Sequence, residues 1–139
     1  MQEGIAEIAK RLNQFCGVEF IGVNEVVKNG VPKERVVAEE SMRIHAMIPK
    51  NSIIVVLDEK GKEFTSIEFS KMLGEVTDKG QNIVFIIGGA YGLSENLKKS
   101  ANVLMALSKM TFTHQMVRLF LLEQIYRGFC ILKGKEYHY

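Results

Sequence analysis

The chain has 139 residues, a length that fits one folded unit, and we expect a single domain over residues 1–139. Its composition, 47% hydrophobic and 24% charged, excludes an intrinsically disordered chain, and the net charge of +2 is too small to identify a nucleic-acid partner by itself. No apolar run is long enough to span a membrane, and Met1 leads directly into mixed polar sequence, so we expect a cytoplasmic protein.

The residues that bind metals in proteins are scattered along this chain. Cys16 and Cys130 are far apart, with no C-x-x-C pair, and the histidines are His45, His114 and His138. None of these spacings matches a zinc motif. We therefore expect two buried thiols and no metal site.

The first part of the chain predicts helix, strand and helix. Apolar residues open the chain at the spacing of one helix face: Ile5, Ile8, Leu12 and Phe15. Residues 18–23 then predict a strand. A break at Asn29 and Gly30 precedes Pro32, which favours the first turn of a second helix, and that helix should end at Pro49.

Two uninterrupted apolar runs predict strands that are buried on both faces. They are SIIVVL at 52–57 and IVFII at 83–87. Between them, Thr65 and Glu68 have the spacing of a capping box and predict the start of a helix. After the second run, Ser94 is placed to cap another helix.

The last part of the chain predicts a short strand at 103–107 and a long helix over about 114–130. That helix is nearly apolar all round, which indicates burial within the fold or in a homodimer. Glu123 and Arg127 have the spacing of an ion pair on one helix face. The alternation of helices and strands predicts an α/β fold with a mostly parallel sheet, covered by helices on both faces.

In sheets of this kind, ligands bind beyond the carboxyl ends of the strands, which are here the loops after Leu57, Ile87 and Leu107. The loop FIIGGAYGLS lacks the lysine of a P-loop, and the next strand lacks the acid that follows a dinucleotide fingerprint. An anion site at a helix start, close approach to a ligand, and tight-turn packing all remain open for Gly88 and Gly92.

The loop after Leu107 mixes hydroxyl groups with apolar side chains. Ser108, Thr111 and Thr113 alternate with Met110 and Phe112. Such a mixture suits a flat heterocycle held by main-chain groups, and an ordinary strand-to-helix connection is the alternative.

Three segments together resemble the RlmH family of SPOUT methyltransferases, which methylate a pseudouridine in large-subunit ribosomal RNA. The segments are IIGGAYGLS, LSKMTFTHQMVR and LLEQIYRGFCILKGKEYHY. The likeness covers essentially the whole chain and is strongest over 53–139. It implies a C-terminal trefoil knot, which composition and periodicity do not indicate, since knots are rare exceptions among folds. It also implies S-adenosylmethionine-dependent methylation of the N3 of a pseudouridine in 23S ribosomal RNA of the assembled ribosome.

The resemblance implies roles for particular residues. The cofactor contacts would be Leu57, Gly88, Leu107, Ser108, Lys109, Met110, Thr111 and Phe112. In the tail, Tyr137 and His138 are candidates for shaping the base pocket or accepting the N3 proton, and the tail would reach the partner's cofactor in a homodimer. The candidates for RNA contacts are His114, Arg118, Arg127 and Lys133.

The chain departs from the family's common pattern in three places. It begins at the first helix, where family members have a further strand before that helix. Thr113 occupies a position where proline is common, and the final residue is Tyr139 instead of a basic one.

The alternative function is a non-catalytic α/β module that binds ribosomes or nucleotides.

Overall fold

The structure is a computed structural model that describes residues 1–22, 30–89 and 91–134. Helices and strands alternate along most of its length. In chain order the elements are α1 (Gln2–Leu12), α2 (Lys33–Met47), β1 (Ser52–Glu63), α3 (Ser66–Asp78), β2 (Asn82–Ile87), α4 (Glu95–Ser100), β3 (Val103–Ala106) and α5 (His114–Leu132).

The three strands form one parallel sheet in the order β2-β1-β3, so the predicted parallel α/β architecture is confirmed. In its register, Leu57 of β1 lies beside Ile87 of β2 and Met105 of β3. The carboxyl ends of the three strands therefore meet at one edge of the sheet.

The sheet is covered on both faces, as predicted. On one face, Val55 and Met105 pack against residues of α1, α3 and α5. On the other face, Val56 and Ile86 pack against Leu97 of α4, and α2 lies beside α4. Side chains point alternately to the two faces of a strand, so the adjacent residues Val55 and Val56 are both fully buried in different clusters.

The expectation that both long apolar strands are buried on both faces is correct for β1 and wrong for β2. In β2 only Ile86 is buried, and the other residues are half-buried or exposed. The reason is its place in the described sheet, where β2 has a neighbour on one side only.

The predicted strand at 18–23 is also wrong over the residues that the structure describes. Residues 18–22 pair with no strand in that part of the chain, and Phe20 and Ile21 are about half exposed. A β-favouring run becomes a strand only when another strand supplies hydrogen-bonding partners. Residue 23 lies outside the described part.

Polar side chains cap the starts of α3, α4 and α5, the first two as predicted. The Thr65 hydroxyl accepts the N–H of Glu68, whose carboxylate accepts the N–H of Thr65 in return. Ser94 accepts the N–H of Leu97 at the start of α4. Thr113 caps α5 in the same way, by accepting the N–H of Met116 at 3.3 Å. Thr113 therefore fixes the start of α5.

The last helix packs against α3 and α1 along one side. Leu121, Leu122 and Phe129 are buried there, which bears out the predicted burial of α5 for that side. On the rest of its surface, Phe120 and Leu132 remain exposed by 36% and 41%. Within the described residues, apolar area on α5 is thus left exposed.

Candidate active site at the carboxyl edge of the sheet

A cleft of about 420 Å³ lies where the three strands end. Its walls come from three separate segments that the parallel register brings together: the residues after Leu57, the glycine loop after Ile87, and the loop that begins at Leu107. Side chains of α4 and α5 close the cleft. The lining residues are Leu57, Asp58, Glu59, Ile87, Gly88, Gly89, Gly92, Leu93, Lys98, Met105, Leu107, Ser108, Met110, Thr111, Phe112, His114 and Val117.

The cleft contains all the predicted cofactor contacts except Lys109. Lys109 is exposed and does not line the cleft, although both of its neighbours in the chain do. His114, predicted as an RNA contact, lines the cleft from the first turn of α5. Contact of any of these residues with a cofactor stays a prediction.

The first wall is a bulge that the sequence did not predict. The expected strand end at Leu57 is wrong, because β1 continues to Glu63. Met105 of β3 pairs with both Leu57 and Lys62, so residues 58–61 leave the ladder and then return to it. Extra residues in one strand re-aim its side chains, which here places Asp58 and Glu59 at the cleft.

The bulge returns to the sheet through a glycine that packs directly against β3. A Cβ on Gly61 would lie 2.6 Å from the carbonyl carbon of Leu104 and 2.7 Å from the amide nitrogen of Met105. A side chain at position 61 could be accommodated only if one of the two strands moved.

The glycine loop forms the second wall and serves its own turn as well. Gly92 has φ of 79°, a left-handed conformation that favours glycine, and its N–H donates to the carbonyl of Gly89 at 3.0 Å. A Cβ on Gly88 would lie 3.0 Å from Cγ of Leu93 and 3.3 Å from the carbonyl carbon of Gly92. We therefore expect that valine at position 88 would strain this loop as well as narrow the cleft.

An ion pair connects the first two walls. The ammonium of Lys98, on α4, lies 2.9 Å from a carboxylate oxygen of Asp58 and 3.7 Å from Glu95. The side chains of Asp58 and Lys98 are only 12% and 25% exposed. The N–H of Lys60 also donates to Asp58 at 2.9 Å.

These contacts shift the pKa values of both partners toward their charged forms. The pKa of Asp58 lies below its ordinary value, because the carboxylate accepts the N–H of Lys60 and a hydrogen bond from Lys98. The pKa of Lys98 is raised, because its hydrogen bond to Asp58 favours the ammonium. The pair is therefore ionised near neutral pH.

Asp58, Glu59 and Lys98 were missed by the sequence reasoning. Two acids directly after the apolar run 52–57 were a usable signal, because polar groups at a carboxyl strand end face the ligand side of such a sheet. Lys98 carried no such signal, since it is one of two adjacent lysines in a short helix.

The third wall is the loop that leads into α5. The hydroxyl of Ser108 accepts the N–H of Met110 at 3.0 Å, which holds the start of the loop in a turn. The ring of Phe112 meets that of Phe120 edge to face, with centroids 5.3 Å apart. The Met110 side chain is 74% exposed at the cleft rim, so it is available to contact a ligand.

The predicted RNA contacts are spread along α5. Arg118 is exposed one turn after His114, and its guanidinium lies over the ring of Phe20 at 5.5 Å. Arg127 holds Glu123 at 2.7 Å, and its side chain is 16% exposed; the predicted helix pair is thus confirmed. Lys133 caps the far end of α5, roughly 28 Å from His114 by helix geometry.

The tail candidates Tyr137 and His138 lie outside the described residues. Within the described part of the chain, no group of three or more His, Cys, Asp and Glu side chains is placed to hold a metal ion. No helix there is long and apolar enough to cross a membrane.

A second hollow, of about 500 Å³, adjoins the cleft and shares Met105, Leu107 and Phe112 with it. Its remaining lining combines three phenylalanines with one alanine and four polar residues: Phe64, Phe69, Phe120, Ala106, Thr65, Ser66, Glu123 and Gln124. It lies next to the exposed apolar part of α5.

The parallel sheet and the cleft at its carboxyl edge can now be compared with what the sequence matches among known proteins. Residues 1–138 match the family described as "Predicted SPOUT methyltransferase", and the chain belongs to that family. It is thus a methyltransferase by class.

Its curated relatives are more specific. A protein of Geotalea daltonii and one of Cytophaga hutchinsonii are each 41% identical to it, over all of this chain and 90% of the relative. A protein of Halothermothrix orenii is 44% identical over 97% of this chain and 88% of the relative. All three are named ribosomal RNA large subunit methyltransferase H.

Proposed function

We propose that this chain methylates the N3 of a pseudouridine in 23S ribosomal RNA of the assembled ribosome, with S-adenosylmethionine as the methyl donor. The observation that carries the proposal is the cleft, in which three segments distant in sequence meet at one sheet edge in a member of the SPOUT methyltransferase family. The names of the relatives support ribosomal RNA as the substrate.

The residues of the cleft fit this cofactor. The volume of about 420 Å³ lies within the range of about 300–1,000 Å³ that is usual for small-molecule sites. Leu57, Ile87 and Leu107 offer apolar surface for an adenine ring, and the loop backbone offers hydrogen bonds to its edge. Glu59 places a carboxylate where a cationic ligand gains favourable electrostatic energy, whereas the charge of Asp58 is balanced by Lys98.

S-adenosylmethionine supplies an activated methyl group, so the chain needs no nucleophile of its own. The task left to its residues is positioning, with the three walls fixing the donor and the apolar lining excluding water. The proton on N3 must also leave. His114 faces the cleft with a ring that can accept a proton, and Tyr137 and His138 of the tail stay proposed for that role.

For the RNA, we propose His114 and Arg118 as the contacts nearest the reaction. They lie one turn apart at the start of α5, beside the cleft. Lys133 is proposed as a more distant backbone contact. We leave Arg127 out of this set, because it is largely buried and holds Glu123. With a net charge of +2, recognition depends on the shape of the assembled ribosome as well as on charge.

We also propose that the chain acts as a homodimer with the knotted C-terminal segment of its family, in the cytoplasm where ribosomes are found. The second hollow beside the cleft, and the apolar residues of α5 that are exposed in the described part of the chain, support burial against a second copy. In such a dimer, the tail of one subunit would complete the site of the other.

The test has two stages. Calorimetric titration first measures S-adenosylmethionine binding by the purified protein. Methyl transfer is then measured on intact ribosomes, separated subunits and bare 23S RNA from a strain that lacks this protein. Nuclease digestion and mass spectrometry locate the methyl group. We expect N3-methylpseudouridine on intact ribosomes and little product on bare RNA.

A matched pair of variants ties the activity to the cleft. Thr111→Trp places a large side chain at an exposed position of the third wall, and we expect it to abolish binding by filling the cleft. Gln115→Trp, at an exposed position outside the lining, should bind as the unaltered protein does. Absence of cofactor binding by the folded, unaltered protein would refute methyl transfer, and ribosome binding without methylation would favour the non-catalytic module.

A further inference from the structure

We propose that the Asp58–Lys98 ion pair is a positioning device that fixes the 58–61 bulge against α4 and thereby holds the cleft in its cofactor-binding shape. The inference rests on the proposed function and extends it to two residues that shape the cofactor cleft. Neither residue is proposed to take part in the chemical step.

The bulge leaves the ladder after Leu57 and rejoins it at Lys62, so contacts outside the ladder must hold residues 58–61 in place. Gly61 is packed against the β3 backbone at 2.6–2.7 Å, which fixes the returning end. At the other end the ladder stops at Leu57, and Glu59 and Lys60 are exposed. At this leading end, Asp58 accepts the N–H of Lys60 and pairs with Lys98.

The ion pair joins two walls that are distant along the chain. Asp58 belongs to the bulge of β1, and Lys98 belongs to α4, the helix that directly follows the glycine loop. Both residues line the cleft, and the 2.9 Å contact therefore sets the spacing between its first and second walls. A small displacement of either wall would misplace a bound ligand.

The burial of the pair separates it from the ordinary surface pairs of this chain. Arg11 and Glu7 on α1 pair within one helix, with side chains 56% and 57% exposed. Such exposed pairs contribute little. Asp58 and Lys98, at 12% and 25% exposure, are withdrawn from water, and losing one partner leaves the other charge poorly compensated. Glu95, at 3.7 Å from Lys98, is the weaker second acid.

The experiment uses variants that remove the charge and little else. Asp58→Asn keeps an oxygen that can accept the N–H of Lys60 while it abolishes the ion pair, and Lys98→Met removes the other charge. Lys98→Arg retains a cation as the conservative variant. Lys99→Met is the matched control, because Lys99 is an adjacent lysine of α4 that does not line the cleft.

We expect Asp58→Asn and Lys98→Met each to weaken S-adenosylmethionine binding roughly tenfold in calorimetric titration, since a hydrogen bond between charged groups is lost. The double variant should be no weaker than either single one, because both remove the same interaction. Lys98→Arg should restore binding to within about threefold, and Lys99→Met should leave it unchanged. In methyl transfer to ribosomes, KM for the cofactor should rise while kcat at saturating cofactor stays the same.

The outcomes separate this inference from the proposed function. If the unaltered protein binds S-adenosylmethionine and Asp58→Asn and Lys98→Met bind it equally well, the inference is wrong and the proposed function stands. A lower unfolding midpoint with normal cofactor binding in the folded variants would also overturn it, because the pair would then act on stability alone. If the unaltered protein binds no cofactor, both the function and the inference are refuted.

Discussion

The cleft and the helix layer formed by α3 and α5 both depend on glycines at points of close approach, but different atoms lie opposite them. A Cβ on Gly128 of α5 would lie 2.7 Å from Cδ1 of Leu73, a side-chain atom of α3. A Cβ on Gly61 of the bulge would lie 2.6 Å from a backbone carbon of β3. A side chain can change rotamer, whereas a strand in a sheet can move only if its hydrogen bonds are disturbed.

The difference shows how each region tolerates change. The helix layer is held by side-chain packing, which can readjust in part after a substitution. The cleft is shaped by backbone against backbone at Gly61, and by the turn at Gly92 with its positive φ. We therefore expect the cleft end of the sheet to be the less tolerant region.

The largest effect is expected for Gly61→Ala. The new methyl group has no room beside Leu104 and Met105, so β1 and β3 must separate locally. We expect the free energy of unfolding to fall by about 3 kcal/mol, as measured by urea denaturation. Gly17→Ala is the control, since its Cβ would meet no atom within 4 Å, and it should change stability by less than about 0.5 kcal/mol. A Gly61→Ala protein as stable as the control would contradict the close approach.

A smaller effect is expected for Gly128→Ala in the helix layer. The methyl group would press on Leu73, which is buried, and that overpacking costs about 1–3 kcal/mol. Alanine favours the helical backbone over glycine by about 1 kcal/mol, which offsets part of the cost. We expect a net loss of about 1 kcal/mol in the same urea measurement. A loss as large as that of Gly61→Ala would remove the contrast between the two regions.

The smallest effect concerns the pH dependence of the Asp58–Lys98 pair. Because the pKa of Asp58 is lowered in the folded state, its stabilising contribution is present above its ordinary value of 3.8 and is lost as the pH falls through the folded pKa. The raised pKa of Lys98 keeps that residue charged throughout this range, up to its ordinary value of 10.5 and beyond.

Asp58→Asn should therefore be less stable than the unaltered protein by an amount on the order of 0.5 kcal/mol that is constant between about pH 5 and 9. The loss is small because the amide oxygen can still accept the N–H of Lys60 and Glu95 still lies near Lys98. The difference should shrink below about pH 4, as measured by urea denaturation at each pH. Lys98→Met serves as the control. Without Lys98, the pKa of Asp58 should be lowered less, so the stability of this variant should depend less on pH. A difference that grows as the pH falls would have the wrong sign for a lowered pKa.

Local signals in the sequence predicted much of the fold. The apolar runs at 52–57 and 83–87 form β1 and β2, and the caps at Thr65 and Ser94 start α3 and α4. Periodicity and capping act within a few residues, so they can be read without knowing what the chain packs against. The three carboxyl strand ends followed from the parallel topology and correctly indicated where the cleft lies.

Other features could not be read locally because they depend on partners far away in the chain. Residues 18–22 have strand-like composition and find no strand partner among the described residues. β1 continues beyond Leu57 because β3 pairs with it again at Lys62 and Glu63. Lys109 lies in a predicted contact loop, but it is exposed and does not line the cleft, whose lining is set by how the three segments meet.

By itself, then, the sequence determined most of the elements, the parallel arrangement of the strands and the family, since these depend on short-range patterns and on motifs along the chain. Only the tertiary structure decided the shape of the cleft. The pairing of Met105 with both Leu57 and Lys62, and the contact between Asp58 and Lys98, join residues about 40 or more positions apart. Long-range pairing of this kind is set by how the whole sheet assembles, and no local pattern encodes it.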